Sequence, residues 1–525
     1  MSEVLVHALL DPDVYSHPVH DLQLIETHIS WVILTGPFVY KIKKPIDLGF
    51  LDFSTLDKRE FFCARELELN KRLAPQLYLT VVSITGSAQR PAIDGDGEVI
   101  EYAVKMAQFP QEAQLDRMLH TGKLTQFHIS ATADKVAEFH LHLVNSHLAD
   151  KYGSPGQVLA PIKENFSQIR QRQCSENTQE LDALETWVDR QYSQLVPVMA
   201  ARKAAGFIRD CHGDIHLRNV AWHENEIVIF DCIEFSDDLR RIDVISEVAF
   251  MVMDLDHRKR KDLGSWFLNR YLEHTGDYAG LRLLRFYLVY RALVRAKVDC
   301  IRANQEHIST TERAEALQEY LSYVRLASSY TQYHRPVLIL MYGLSGSGKT
   351  HVSDSLLTIL PAVRIRSDIE RKRLYGLEEK DRTGGGVVNA GIYTQSASQR
   401  TYALLQEYAE IILKSGYNVI IDAAFLYRHQ RSVFLEFAES IGSATVILEC
   451  SAPDPVLKQR IRERIGHDRD ASDADIEVLQ HQLKNREPLD NAELKLCISV
   501  DTSEEIDINA LSQSIKQRCN NQLDR

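Results

Sequence analysis

The sequence is poor in the features that would mark a membrane protein, a secreted protein or a metal framework. Its 525 residues include 8 cysteines but no Cys-x-x-Cys pair, which leaves no signature of a zinc ribbon or a dithiol redox motif. Buried or incidental reduced thiols are the expectation. No apolar run approaches the ~18 residues that a bilayer span requires. The opening segment MSEVLVHALLDPD is short in apolar residues and soon acidic, so it does not read as a secretory signal. A cytoplasmic protein with no membrane partner is therefore expected. Internal repeats and low-complexity tracts are absent too. Positive charge is in deficit, with 61 Lys and Arg against 73 Asp and Glu and a formal net charge of −12. That argues against broad nucleic-acid binding, though a local basic groove would still be compatible with it.

What is present points to catalysis. The length exceeds what one hydrophobic core usually organises, so two or three cores are expected. The polar stretch SSYTQYHRP (328–336) is the clearest seam, preceded by helical spacing over 311–327 and followed by a buried-strand pattern. It divides the chain into residues 1–330 and 335–525. The first part opens with strands over 31–46 around a turn at Thr35–Gly36–Pro37. A helix over 54–74 follows, with Ser54 as its N-cap, then strands including 99–109, then mostly helix from 111 to about 205. The second part alternates strand and helix (337–342, 349 onward, 363–366, 418–422, 444–450), the pattern of a parallel sheet covered on both faces.

GLSGSGKT (343–350) fits G-x-x-x-x-G-K-[ST]. Gly343, Gly346 and Gly348 let backbone N–H groups turn onto phosphates, and the following helix adds its positive N-terminus. Lys349 reaches the β/γ-phosphates and the Thr350 hydroxyl can hold Mg²⁺. Asp368 follows the strand 363–366 and Asp422 ends the strand 418–422, at the carboxyl edge where α/β sheets bind ligands. Asp368 is a candidate general base for an acceptor hydroxyl, and Asp422 a metal- or water-ordering acid. The alternative for either is a helix cap. On 455–489, Leu457, Ile461 and Ile465 form a packing stripe, and Arg460 and Arg464 share a neighbouring face. These arginines are either a solvated face or a lid over the transferred phosphoryl group. On RSDIERKRL, IYTQSASQRTYALL, IIDAAF and RIRERIGHDRDASDADIEVLQHQ, residues 337–500 resemble the P-loop kinase-type domains related to zeta toxins, polynucleotide 5′-kinases and small-metabolite kinases. The resemblance implies Asp368 as the acceptor-side acid, Asp422 as the Walker-B-like position, and Arg460, Arg464 and Arg469 as lid candidates.

HGDIHLRN (212–219) satisfies H-x-D-x-x-x-x-N, and Asp231 ends EIVIFD twelve residues after Asn219. Transfer from ATP to a hydroxyl needs an acid to take the proton and oxygen ligands for Mg²⁺. Asp214 suits the first role, Asn219 and Asp231 the second. His212 braces the loop, while Cys211 and His216 read as structural. Lys41 in FVYKIKK is placed to pair with the α/β-phosphates, with Glu66 as its helical partner. Lys43 lies on the same strand face and competes for that assignment. Residues 104–109 form the adenine-side connection. These residues, with FDCIEFSDDLRRIDVISEVAF and YLVYRALVRAKV, resemble the aminoglycoside phosphotransferase and choline-kinase group of the protein-kinase-like fold. That resemblance covers most of 20–300 and implies a two-lobed domain acting on a small hydroxylated or amino-bearing molecule. Departures from protein kinases proper include Gly213 in place of arginine, no G-x-G-x-x-G loop, and D-C-I-E rather than D-F-G. His140 and His147 invite a metal reading but have no companion ligands at a recognisable spacing. Arg291, Arg295 and Lys297 suit a substrate phosphate and a polar helix face equally.

The fold class expected is thus a two-lobed α+β kinase-like domain followed by a P-loop α/β domain. The function expected is a bifunctional ATP-dependent phosphotransferase using ATP and Mg²⁺. The competing readings are a P-loop domain that phosphorylates an RNA or DNA 5′ end, one domain reduced to an ATP sensor, or an ATPase switch.

Overall fold

The computed structural model describes the chain except residues 1, 50, 144–150, 173, 175–177, 306–307, 380, 382–390, 466–471 and 524–525. It packs as two compact units, Met1–Asp254 with Tyr290–Val324, and Leu255–Val289 with Arg325–Arg525.

The first unit begins with strands β1 (Gln23–Glu26), β2 (Ser30–Leu34), β3 (Phe38–Lys43), β4 (Tyr78–Ser87), β5 (Arg90–Ile93) and β6 (Val99–Ala107). They form an antiparallel sheet in the order β1-β2-β3-β6-β4-β5. Strand alternation decides what each face carries. Tyr40 and Ile42 enter a core with Trp31, Ile33 and Val82, which puts Lys41 and Lys43 on the opposite face. There the helix Leu56–Asn70 presents Glu66, fully buried. Its N-cap is Thr55, whose side chain accepts from the Lys58 N–H, whereas the expected cap Ser54 bonds Asp52 instead. Residues 104–107 continue β6, so of the expected connection only 108–109 leave the strand. Helices Gln126–His142, Pro155–Gln171 and Gln179–Ala204 follow. The short strands β7 (Ile208–Asp210), β8 (Val220–His223), β9 (Glu226–Ile229) and β10 (Arg241–Asp243) then pair as β10-β7 and β8-β9.

The second unit carries β11 (Val337–Tyr342), β12 (Ala362–Arg366), β13 (Asn418–Asp422), β14 (Ala444–Ser451) and β15 (Cys497–Asp501). They form an all-parallel sheet in the order β12-β13-β11-β14-β15. Near-continuous apolar strands are what a doubly covered parallel sheet requires. Ile339, Met341, Ile420, Val446 and Leu448 accordingly lie in one core with Val352 and Leu356 of the helix Lys349–Leu357. Each such side chain contributes about 1.5–3 kcal/mol on leaving water. The helix Lys261–Thr275 packs beside edge strand β12, where the buried Asn269 donates to Ala362 O (2.9 Å) and accepts from the Arg364 N–H (2.7 Å).

Cysteine pairing departs from the all-thiol expectation. Cys174 and Cys300, 126 residues apart in sequence, form a disulfide with Cα atoms 5.8 Å apart, and that separation gives no spacing signal. The other six are buried free thiols. Among the described residues no helix is long and apolar enough to cross a membrane.

Candidate functional sites

In the first unit, β3, the helix Leu56–Asn70 and the segment after β9 converge. Lys41 Nζ lies 2.8 Å from Glu66 and 2.5 Å from Asp231, while Lys43 Nζ lies 2.7 Å from Glu66 and also bonds Glu234. Glu66 thus serves both lysines, and Glu234 is a partner that the sequence motif does not announce. The two lysines differ in surroundings. Lys43 is wholly buried among carboxylates, whereas Lys41 meets Asp231, whose side chain is 48% exposed. Burial pulls both lysine pKa values down, but the facing carboxylates outweigh it and leave them raised. Burial would likewise raise Glu66, and the two ammonium groups hold it below the usual carboxylate range. Asp231 adopts φ +65°, a left-handed conformation that costs a non-glycine residue about 1–3 kcal/mol and tends to persist at functional positions.

The catalytic-type loop is braced from behind. His212 Nε2 bonds Phe230 O at 3.0 Å, in keeping with the bracing role expected of it. Glu247 accepts from the backbone N–H groups of His212 (3.3 Å) and Gly213 (2.5 Å) and faces His140 Nε2 at 2.8 Å. His140, Cys211 and Glu247 lie close enough to surround an ion, but each already has a hydrogen-bond partner. His147 lies outside the described residues. Arg291 donates to Ser246 O and Gly213 O, so it supports the loop rather than lying on an open helix face. Asn219 Nδ2 donates to Asp214 O (3.0 Å) and Oδ2 (3.2 Å), which joins the two motif residues. His216, read as structural from sequence, approaches Asp214 Oδ2 at 3.5 Å. Burial favours the neutral acid at Asp214, but His216 and Arg295 outweigh it and hold the carboxyl well below its ordinary range. Asp214 is therefore an ionised hydrogen-bond acceptor.

In the second unit, the loop after β11 wraps as a phosphate cradle. Gly346 has φ +80°, and a Cβ there would sit 2.8 Å from Leu457 O. Only glycine fits this position without displacement. Lys349 Nζ turns back and donates to Gly343 O (3.0 Å) and Leu344 O (2.9 Å), two carbonyls of the loop itself. Thr350 Oγ1 donates to Asp422 Oδ2 at 2.7 Å. Lys349, Thr350, Asp368, Asp422 and Arg460 all line one cavity of about 960 Å³. Asp368 caps no helix and makes no hydrogen bond or ion pair among the described residues, so its carboxylate is available to the cavity. Arg460 is tied to Gly346 O and to Thr502, against the phosphate loop. Arg464 lies on the helix Asp454–Ile465; its side chain, and Arg469, lie outside the described residues.

Both sites offer hard oxygen donors, the set that suits a hard divalent cation. These are the Asn219 amide and Asp231 carboxylate in the first unit, and the Thr350 hydroxyl and Asp422 carboxylate in the second. The residues present therefore fit such an ion.

Residues 63–284 match the family described as "Phosphotransferase enzyme family", and residues 338–489 match that described as "AAA domain". The first range contains the H-x-D-x-x-x-x-N loop and the second the phosphate cradle. The molecule is an ATP-dependent kinase, a fusion of an aminoglycoside phosphotransferase-like domain with a P-loop kinase-type domain. More particularly, it belongs to one family with an uncharacterised protein of Mycobacterium tuberculosis. The two are 32% identical over 462 residues, covering 87% of this chain and 90% of that one. An uncharacterised protein of Mycobacterium bovis matches to the same extent. Similar solved structures include an amicoumacin kinase bound to AMP-PNP and Ca²⁺ (12% identical, 62% of this chain and 93% of that one, TM-score 0.39). A sugar kinase from Janibacter is also similar (22% identical, 35% of this chain and 92% of that one, TM-score 0.26).

Proposed function

We propose that the chain is bifunctional, each unit transferring the γ-phosphate of ATP to a hydroxyl of its own small-molecule acceptor, with Mg²⁺ as the cation, in the cytoplasm. The observation that carries this reading is the completeness of both sets. Lys41–Glu66, Asp214, Asn219 and Asp231 converge in one unit, and Lys349, Thr350–Asp422 and Asp368 share one cavity in the other. In the first unit Lys41 leaves Asp231 to bind the nucleotide phosphates, and ionised Asp214 orients the acceptor hydroxyl and receives its proton as the oxygen attacks. In the second, Lys349 and the loop N–H groups hold the β/γ-phosphates and Asp368 orients the acceptor. Asn219 and Asp231 in the first unit, and Thr350 and Asp422 in the second, would hold a divalent cation, which would supply positive charge to offset what develops on transfer.

The test uses γ-labelled ATP and a metabolite extract with wild type, Asp214→Ala and Lys349→Ala. Two labelled products are expected, each lost with one substitution. Label released only as free phosphate, and lost only in Lys349→Ala, would overturn the bifunctional reading.

A further inference from the structure

The second unit's cavity carries a charge pattern that narrows its acceptor, and the inference rests on reading that unit as a phosphotransferase. Between Arg364 and Arg373 the sequence holds five cations, which would suit a polyanion if they were free. Four of them are occupied. Arg364 pairs with Glu273 (2.8 Å) and Asp354, Arg366 approaches Glu379 (3.7 Å) and Asp422 (4.0 Å), Lys372 approaches Asp473 (3.7 Å), and Arg373 bonds Glu370. Arg371 is the exception. It is 7% exposed and lines the cavity, yet it pairs with no carboxylate among the described residues.

Its geometry shows which edge is available. Nη1 donates to Ile392 O (3.1 Å) and Ser398 Oγ (3.3 Å), while Nε is buried with no hydrogen-bond partner among the described residues. No hydrogen bond is made from Nη2 among the described residues either, so the Nε–Nη2 edge, the one that takes a carboxylate or phosphate through two parallel bonds, is unpaired there. A nearly buried guanidinium without a counter-charge is costly, and the other buried arginines of this unit, Arg364 and Arg431, both bond carboxylates. The neighbouring helix lines the cavity with uncharged side chains only. The helix Gln395–Lys414 turns Gln395, Gln399 and Gln406 into the cavity, and none of these amides makes a hydrogen bond among the described residues. Positions four and seven apart share one helix face, so these amides form a row of paired donors and acceptors suited to hydroxyl groups.

We infer that the acceptor of the second unit is a small polyhydroxylated molecule bearing a single anionic group, a carboxylate or a phosphomonoester. Arg371 receives the anion and the amide row reads the hydroxyls. Seated this way, one acceptor hydroxyl reaches Asp368. Its oxygen bonds to the γ-phosphorus, the bond from that phosphorus to the β,γ-bridging oxygen breaks, ADP leaves, and the hydroxyl proton passes to Asp368. Arg371 is a binding residue and takes no part in the bond changes.

Three probes with one carbon skeleton separate the possibilities: sorbitol, D-gluconate and sorbitol 6-phosphate. With the full-length protein, labelling from γ-labelled ATP and thermal stabilisation are both measured. At least one anionic probe is expected to be labelled and to raise the unfolding midpoint, with sorbitol inferior in both; which anion prevails identifies the source. Arg371→Gln is expected to raise the KM for that anion by about 10- to 100-fold, the loss expected for a charge-assisted hydrogen-bonded pair. The rise should exceed any change in the KM for ATP. Arg371→Lys keeps the charge without the fork and should fall between, which covers the case in which the glutamine variant does not fold. The proposal is overturned if sorbitol serves as well as the anions, if neither anion binds, or if both Arg371 variants leave the KM unchanged. Lys349→Ala should abolish labelling while anion-dependent stabilisation persists. If wild type shows that same pattern, the phosphotransfer reading fails and the anion site stands.

Discussion

Two lysines share Glu66, and their environments differ. Lys41 touches a half-exposed carboxylate, whereas Lys43 is locked between Glu66 and Glu234 with no exposed surface. Lys41→Met is therefore expected to remove the first unit's labelled product while changing the melting temperature little. Lys43→Met leaves two buried carboxylates undercompensated and should destabilise by about 3–5 kcal/mol, read as a lower midpoint in chemical denaturation. The pH dependence follows from Glu66, whose pKa is depressed by the two ammonium groups against the opposing effect of burial. A depressed carboxyl stabilises the fold above its unfolded value of about 4.3, and that stabilisation is lost as pH falls below it. The melting temperature of wild type should drop in this acid range, and that part of the drop should be missing in Glu66→Gln. The rivalry between Lys41 and Lys43 was legible in the sequence, because period-two alternation puts both on one face. What sets their surroundings apart was not, because Glu234 arrives from 191 residues away.

At the scale of elements, β12 is the edge of a parallel sheet, and an uncovered edge exposes backbone groups to wrong pairing. Asn269 answers this with a side-chain amide that mimics a strand neighbour, donating to Ala362 O and accepting from the Arg364 N–H. Asn269→Ala leaves both backbone groups buried and unpaired, each costing about 1–3 kcal/mol. The expected result is a loss of roughly 2–6 kcal/mol in the unfolding transition that ATP binding at the P-loop stabilises. Asn269→Asp should also fail, because it can accept but not donate. The strands β11 to β14 were readable from apolar runs bounded by helical spacing. The packing of Lys261–Thr275 beside β12 was not, since it depends on one amide and on pairs such as Arg364–Glu273 that join residues 91 positions apart. The catalytic-type loop was readable in the same partial way. Its motif residues stand in the sequence, but the Glu247, Arg291 and His216 contacts that hold it come from other helices and from a histidine with no motif of its own.

For the whole molecule, a net charge of −12 sets the long-range field, and the local cluster at 364–373 does not reverse it. Sequence alone left a basic groove open, because it lists cations without their partners; Glu273, Glu370 and Glu379 are what close it. A polynucleotide acceptor would release counterions from each phosphate it places on the protein, and its affinity would fall with a log–log salt slope of about −0.7 per contact for a single strand. An acceptor with one anionic group makes one such contact. The KM for the second unit's acceptor should thus rise only about two- to threefold between low and moderate salt. A single-stranded RNA with a 5′ hydroxyl should neither receive label nor slow labelling of the small acceptor. If it competes, and if competition vanishes steeply with salt, the surface presents a polyanion track that the paired arginines do not supply, and the small-acceptor reading of the second unit falls.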